Sequence, residues 1–260
     1  MKWLIGLILA APAFAGEIAP SDMAGQTVAD VVILGEVHDN PVHHENQAGF
    51  VAAIQPKAVV WEMIPEAMAV PADMSEALSL AKALDWEARG WPDFSMYHPI
   101  FVSARNARHY GAEVPRDLAR RAVREGAMAV ALDGAQFGLD RDLPAAEQAE
   151  REAEQMAAHC NALPEDLLPG MVQAQRLRDA CLARAVLRAL DDVGPPVAVI
   201  TGSGHARKDW GLPSVLAIAA PSVSVLSIGQ IEGEAAGDLP FDAWLTAPPP
   251  DRADPCAAFQ

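Results

Sequence analysis

Apolar residues along this chain gather into short unbroken runs separated by longer stretches of helical period. Val31 to Leu34, 58–61 and 197–201 are rich in valine and isoleucine, and 128–132 and 223–228 have a similar character. Runs this short, β-branched and flanked by glycine or proline read as strands buried on both faces, the usual state of a parallel sheet. Between them, 42–54, 75–88 and 98–109 carry apolar residues at helical spacing. Alternating strands and helices predict an α/β fold with a central, mainly parallel sheet flanked by helices. From about 144 to 190 the pattern changes to two long helical segments, Pro144 to Cys160 and Gly170 to Leu190, parted by Asn161 to Pro164. This predicts a helical hairpin inserted ahead of the last core strands.

The N-terminus belongs to a different class. Met1-Lys2 is a short basic start, Trp3 to Ala11 is apolar, and Ala13-Phe14-Ala15 is a small-residue cleavage signature. A signal peptide over 1–15, cut after Ala15, is expected. The apolar run is well short of the roughly 20 residues that span a bilayer, and no cysteine follows the cut to carry a lipid. The mature chain is therefore expected in the periplasm or secreted, with no stable membrane anchor. Residues 17–245 then form a single domain with its helical insertion at about 144–190, and 246–260 a Pro-rich tail.

Composition narrows the partners. The 260 residues, 51% hydrophobic, suffice for one substantial core. A formal net charge of −16, more negative once Lys2 is removed, repels polyanions and argues against nucleic acid or an anionic membrane surface. Three cysteines in an exported chain permit one disulfide. Cys181 lies on a helical apolar face beside Leu177, Leu182 and Ala185, so of the three possible pairs Cys160 with Cys256 is favoured, tying down the C-terminal tail. The spacing matches no zinc motif.

Candidate chemistry lies just beyond the strand-like runs. Gly35-Glu36-Val37-His38 follows the first, and Gly202-Ser203-Gly204-His205 follows 197–201, while Glu62 ends 58–61. In open α/β sheets ligands bind outside the carboxyl ends of the strands. Glu36, His38, Glu62 and His205 are thus expected to converge there, either around a divalent metal ion or as acids and bases of a hydrolase. Asp39 or Asn40 with Pro41 marks a helix start, placing His43, His44 and Gln47 in its first turns, where an anion is favoured. Ser203 lies outside any Gly-x-Ser-x-Gly elbow. Trp86 and Trp91, flanking Arg89-Gly90, and the scattered Met63, Met68, Met96 and Met171 receive no role.

Leu34 to His44, Tyr97-His98-Pro99, Gln175 to Ala180 and Gly202 to Pro213 together resemble the ChaN family of haem-binding uptake proteins in the Tiki superfamily, marked by paired Gly-x-x-His motifs and a glutamate. The likeness runs from about 30 to 228. It implies an α/β fold, a haem site and a role in iron acquisition, with two haems stacked in a homodimer. It also implies tyrosine as iron ligand from one subunit, with histidine near the propionates from the other. Of the two tyrosines, Tyr97 and Tyr110, the first lies in the matching segment and is the candidate ligand; His38, His44, His205, Arg116 and Trp210 complete the implied cofactor-binding set. The chain departs from the family pattern in reading Asp209-Trp210-Gly211 where relatives have tyrosine, and Glu113 where they have asparagine. Haem binding is the leading expectation; the hydrolase is the alternative, and a noncatalytic module in which the motifs only brace the sheet stands third.

Overall fold

The computed structural model describes residues 16–25, 29–68, 70–71, 73–254 and 256–257; the expected signal peptide at 1–15 lies outside them. Seven parallel strands form one sheet: β1 (Gly16–Glu17), β2 (Val31–Glu36), β3 (Ala58–Trp61), β4 (Arg108–Gly111), β5 (Val197–Gly202), β6 (Val225–Glu232) and β7 (Ala243–Ala247). Their spatial order is β1-β7-β6-β2-β5-β3-β4. Among the described residues ten α-helices surround it: α1 (Pro41–Ile54), α2 (Ala77–Ala83), α3 (Trp86–Arg89), α4 (Phe94–Ser103), α5 (Arg116–Glu125), α6 (Ala127–Val130), α7 (Ala145–Ala158), α8 (Leu168–Val193), α9 (Ser203–Ala206) and α10 (Leu212–Ala219).

The two-residue side-chain period of the strands builds two cores, one on each face. Val31, Ile33, Val60, Val197 and Val199 pack beneath α5, α8 and α10. Val32, Leu34, Val59, Trp61, Ala198 and Ile200 pack beneath α1 and α4. β2 lies between β5 and β6 in register, Val31 opposite Val197 and Val225. From β2 the chain crosses to one side of the sheet, toward β3, and from β5 to the other, toward β6. Their carboxyl ends therefore flank a switch point, the place where such sheets hold ligands.

Several expected boundaries move. The stretch 98–109 is not one helix: α4 ends at Ser103, and Arg108–Gly111 forms an edge strand whose exposed Arg108 hides it from a search for apolar runs. The stretch 128–132 is not a strand. Alanine-rich Ala127–Val130 makes one helical turn, and Leu132 is 67% exposed rather than buried in a sheet. The helix expected over 75–88 is broken at Asp85, which takes a left-handed φ of 49°. β7 carries the sheet to Ala247, past the expected domain edge at 245, and β1 begins at Gly16. α7 and α8 occupy the two segments expected of the hairpin. Cys160, just after α7, is bonded to Cys256, and Cys181 is free and buried. Among the described residues no helix is long and apolar enough to cross a membrane.

Candidate functional site

Glu36 is the last residue of β2 and its side chain enters the α1 and α4 layer, fully buried. There His38 Nδ1 lies 2.6 Å from its Oε1, the Tyr97 hydroxyl of α4 donates to the same oxygen at 2.8 Å, and His44 Nδ1 of α1 stands 3.4 Å from Oε2. Burial alone would raise the Glu36 pKa, but hydrogen bonds from His38 and His44, and their charges, hold it well below the usual carboxylate range. Burial likewise opposes charge on His38, yet the Glu36 hydrogen bond and charge push its pKa up to about 9. His44 faces oxygen acceptors on both ring nitrogens, Glu36 and Gln47 at Nδ1 and the His38 carbonyl at Nε2, 2.9 Å away. That environment suits an imidazolium, and its pKa is raised against the pull of burial.

Glu62, one residue beyond β3, extends the ladder by donating its backbone N–H to the Ile200 carbonyl. Its Oε2 accepts from the Thr201 hydroxyl at 2.7 Å and the Gly202 N–H at 2.8 Å, and its Oε1 lies 3.6 Å from His205 Nε2. His205 Nδ1 in turn sits 2.7 Å from Asp179 Oδ1 on α8. Despite its burial, Glu62 keeps a lowered pKa through the His205 and His38 charges and the two donors, and His205 is raised by Glu62 and Asp179. Asp179 moves the other way, upward, because its burial outweighs an imidazolium that it shares with Glu62. A Cβ built on Gly202 would come within 3.2 Å of His38 Nε2 and 3.8 Å of Glu62 Oε2, so this glycine holds open the space between the two carboxylate–imidazole pairs.

Two cavities open along this edge. One of ≈ 180 Å³ is lined by Glu62, Trp91, Arg89, Glu113, Arg116 and Arg178. Its Trp91 ring lies 5.0 Å from the His38 ring, and the indole N–H is buried with no partner among the described residues. Arg89 is paired with Glu113 at 2.5 Å, and Arg116 donates to the Arg89 carbonyl, whereas Arg178 makes no ion pair among the described residues. The other, ≈ 250 Å³, lies beside Asp179, Arg151, Arg176 and Trp210. The Trp210 ring is already covered by the Arg207 guanidinium, 3.7 Å from its centroid.

The structure thus brings Glu36, His38, Glu62 and His205 to one edge and adds His44 and Arg116 at its margins. It corrects two expectations. Tyr97 is not an open iron ligand: it is 0% exposed, its hydroxyl donates to Glu36, and burial with the Glu36 charge pushes its pKa far upward, away from phenolate. The divalent-ion site is likewise corrected. Among the described residues no group of three or more His, Cys, Asp or Glu side chains is arranged to hold a metal ion. Asp179, Arg178 and Trp91 received no role from the sequence. Asp179 carries a readable signal, a carboxylate at helical spacing among Val172, Ala180 and Ala183 on the buried face of α8, which demands a partner.

With this geometry in hand, comparison with known proteins is informative. A family described as haem-binding uptake, Tiki superfamily, ChaN, matches residues 23–216. No curated protein matches the chain by sequence. Among solved structures, the fold is similar to ChaN of Campylobacter jejuni, described for its cofacial haem binding: TM-score 0.65, 19% identity, 86% of this chain and 91% of that one. Weaker similarity extends to the type III effector HopBA1, at TM-score 0.45, 13% identity, and 88% and 93% of the two chains. A mutant of the erythromycin esterase EreC in its open conformation gives 0.42, 15% identity, and 85% and 76%.

Proposed function

The chain belongs to the ChaN family of haem-binding uptake proteins of the Tiki superfamily, and on that premise we propose that it binds haem at the carboxyl edge of its sheet, as an exported protein of haem or iron uptake. The observation that carries this reading is the family match over 23–216, which takes in every residue of both carboxylate–imidazole pairs. The donor set fits the group. Haem brings an iron with axial positions to fill, a flat apolar ring and two propionates. The edge offers an accessible imidazole on His38, the Trp91 ring with its unpaired N–H, and the guanidinium of Arg178 with Arg116 beside it. The ≈ 180 Å³ cavity is smaller than the roughly 300–1,000 Å³ of pockets that enclose small ligands. A haem held here would not be enclosed, and we extend the proposal to a homodimer in which a second copy would cover it, after the cofacial binding named for the Campylobacter jejuni protein.

The hydrolase alternative gains nothing from the same geometry. His205 is buried between Asp179 and Glu62, and the Ser203 hydroxyl donates to the Gln230 carbonyl instead of facing a base. Titrating purified residues 16–260 with hemin tests the haem reading: a saturable shift of the Soret absorption, with haem retained through gel filtration, is expected. Hemin that elutes apart from the protein, with no spectral change, would overturn it.

A further inference from the structure

We infer that the axial ligand to haem iron in this protein is His38 Nε2 rather than a tyrosine, an assignment that rests on the haem reading above. The chain has two tyrosines, and both are unavailable. Tyr97 is 0% exposed and donates to Glu36 and to the His38 carbonyl; Tyr110 is 7% exposed and donates to Asp192 at 3.0 Å. A phenolate at either position would lose those bonds and place a second negative charge against a carboxylate.

The seven histidines separate just as clearly. His43 is fully buried and its Nδ1 accepts from the Val37 N–H. His44 has hydrogen-bond acceptors at both ring nitrogens, and His205 is buried, with Nδ1 on Asp179 and Nε2 facing Glu62 Oε1 at an ion-pair distance of 3.6 Å. His98 donates to the Met74 carbonyl, His109 accepts from the Trp61 indole, and His159 donates to the Gln155 carbonyl. His38 alone combines a place at the edge, a side chain 32% exposed, and an Nε2 that makes no hydrogen bond among the described residues. A Cβ built on Gly202 would stand 3.2 Å from that nitrogen, so glycine at 202 keeps a side chain off it.

The support behind His38 is the kind that metal-binding imidazoles carry. A carboxylate that holds the Nδ1 proton orients the ring and leaves Nε2 as the nitrogen that would give up its proton to bind iron. Glu36 does this, and it is held in turn by the Tyr97 hydroxyl and His44. Tyr97 is therefore a positioning residue, acting on iron through Glu36 and His38.

The test is a hemin titration of wild type, Tyr97→Phe, His38→Ala and His38→Tyr, read by visible absorption and electron paramagnetic resonance, with near-ultraviolet circular dichroism to verify folding. Wild type should bind without a phenolate charge-transfer band, and Tyr97→Phe should give the same ligand signature. His38→Ala should weaken binding by about tenfold or more, with added imidazole restoring the wild-type spectrum, and His38→Tyr should make a phenolate band appear. A phenolate band in wild type that Tyr97→Phe abolishes, or a His38→Ala complex with wild-type spectrum and affinity, would overturn the assignment while leaving haem binding intact. Wild type that takes up no hemin would overturn the haem reading, and this assignment with it. If His38→Ala does not fold, His38→Tyr still decides: a phenolate band supports the assignment, and an unchanged wild-type spectrum overturns it.

Discussion

Glu36 and Glu62 stay charged in the interior because hydrogen-bond donors and the neighbouring imidazoles together offset the loss of water. Glu62 collects an N–H, a hydroxyl and an imidazole. Glu62→Ala should therefore destabilise the fold by about 3–5 kcal/mol, the range for breaking a buried pair from one side. Glu62→Gln, which keeps an oxygen for Gly202 or Thr201, should lose visibly less. Urea denaturation compares them, and equal losses would show that the charge is irrelevant. A second test concerns His109, whose buried ring accepts from the Trp61 indole and has its pKa lowered by burial to about 4. Its folded pKa lies below the ordinary 6.5, so unfolding takes up a proton between those values. The stabilisation is complete above pH 6.5 and is lost as pH falls toward 4, by at most about 3 kcal/mol. His109→Gln, which retains an acceptor but does not titrate, should lose less stability than wild type between pH 7.5 and 5. Parallel losses would refute the assignment.

At the scale of elements, α8 is the member that joins the layers, packing on α5, α7, α10 and β3 and supplying Asp179, Arg178 and Arg176. Near its start, Gly170 lies against α5 so closely that a Cβ would fall 2.3 Å from the Val123 carbonyl oxygen. Helix propensity alone predicts that Gly170→Ala stabilises by about 1 kcal/mol. Packing predicts the reverse, a loss of about 1–3 kcal/mol. We expect packing to win, because the obstacle is backbone, and a melting temperature above wild type would show otherwise. The same elements explain what could be read from the chain. β2, β3 and β5 are buried on both faces, so composition alone reveals them, and with them Glu36, His38, Glu62 and His205 at their ends. β4 is half polar because it is an edge strand, β1 is two residues long, and 128–132 is apolar without being buried; none has a local signature of its state. Asp179 and Arg178 reach the edge from a helix more than a hundred residues beyond Glu62, and that meeting is a tertiary fact. The fate of Tyr97 was equally hidden, since nothing local says that its hydroxyl meets Glu36.

Across the whole molecule, both ends of the described chain are tied to the sheet or the hairpin. Gly16 and Glu17 pair with Ala243 and Trp244, so a chain cut after Ala15 would begin with the first residue of β1. The tail is held by Arg252, which reaches Asp39 and Glu232 beside the start of α1, and by the Cys160–Cys256 bond across 96 residues. The exposed Arg252 pairs contribute little by themselves. The disulfide matters more, because a closed loop of that size restricts the unfolded chain by about 2–4 kcal/mol in typical cases. Such a bond persists in an oxidising compartment, which supports the proposal that the protein is exported. The prediction has two parts measured on one sample. Protein recovered from the periplasm or medium should have an intact mass starting at Gly16 with Cys160 and Cys256 oxidised. Reduction, or Cys160→Ser with Cys256→Ser, should lower the denaturation midpoint by an amount matching that 2–4 kcal/mol range, while buried Cys181 stays unreacted in the native state. A mass that retains residues 1–15, or a lipid on the N-terminus, would refute the cleavage. Two free thiols in freshly exported protein would remove the tail's anchor and the argument for export that rests on it.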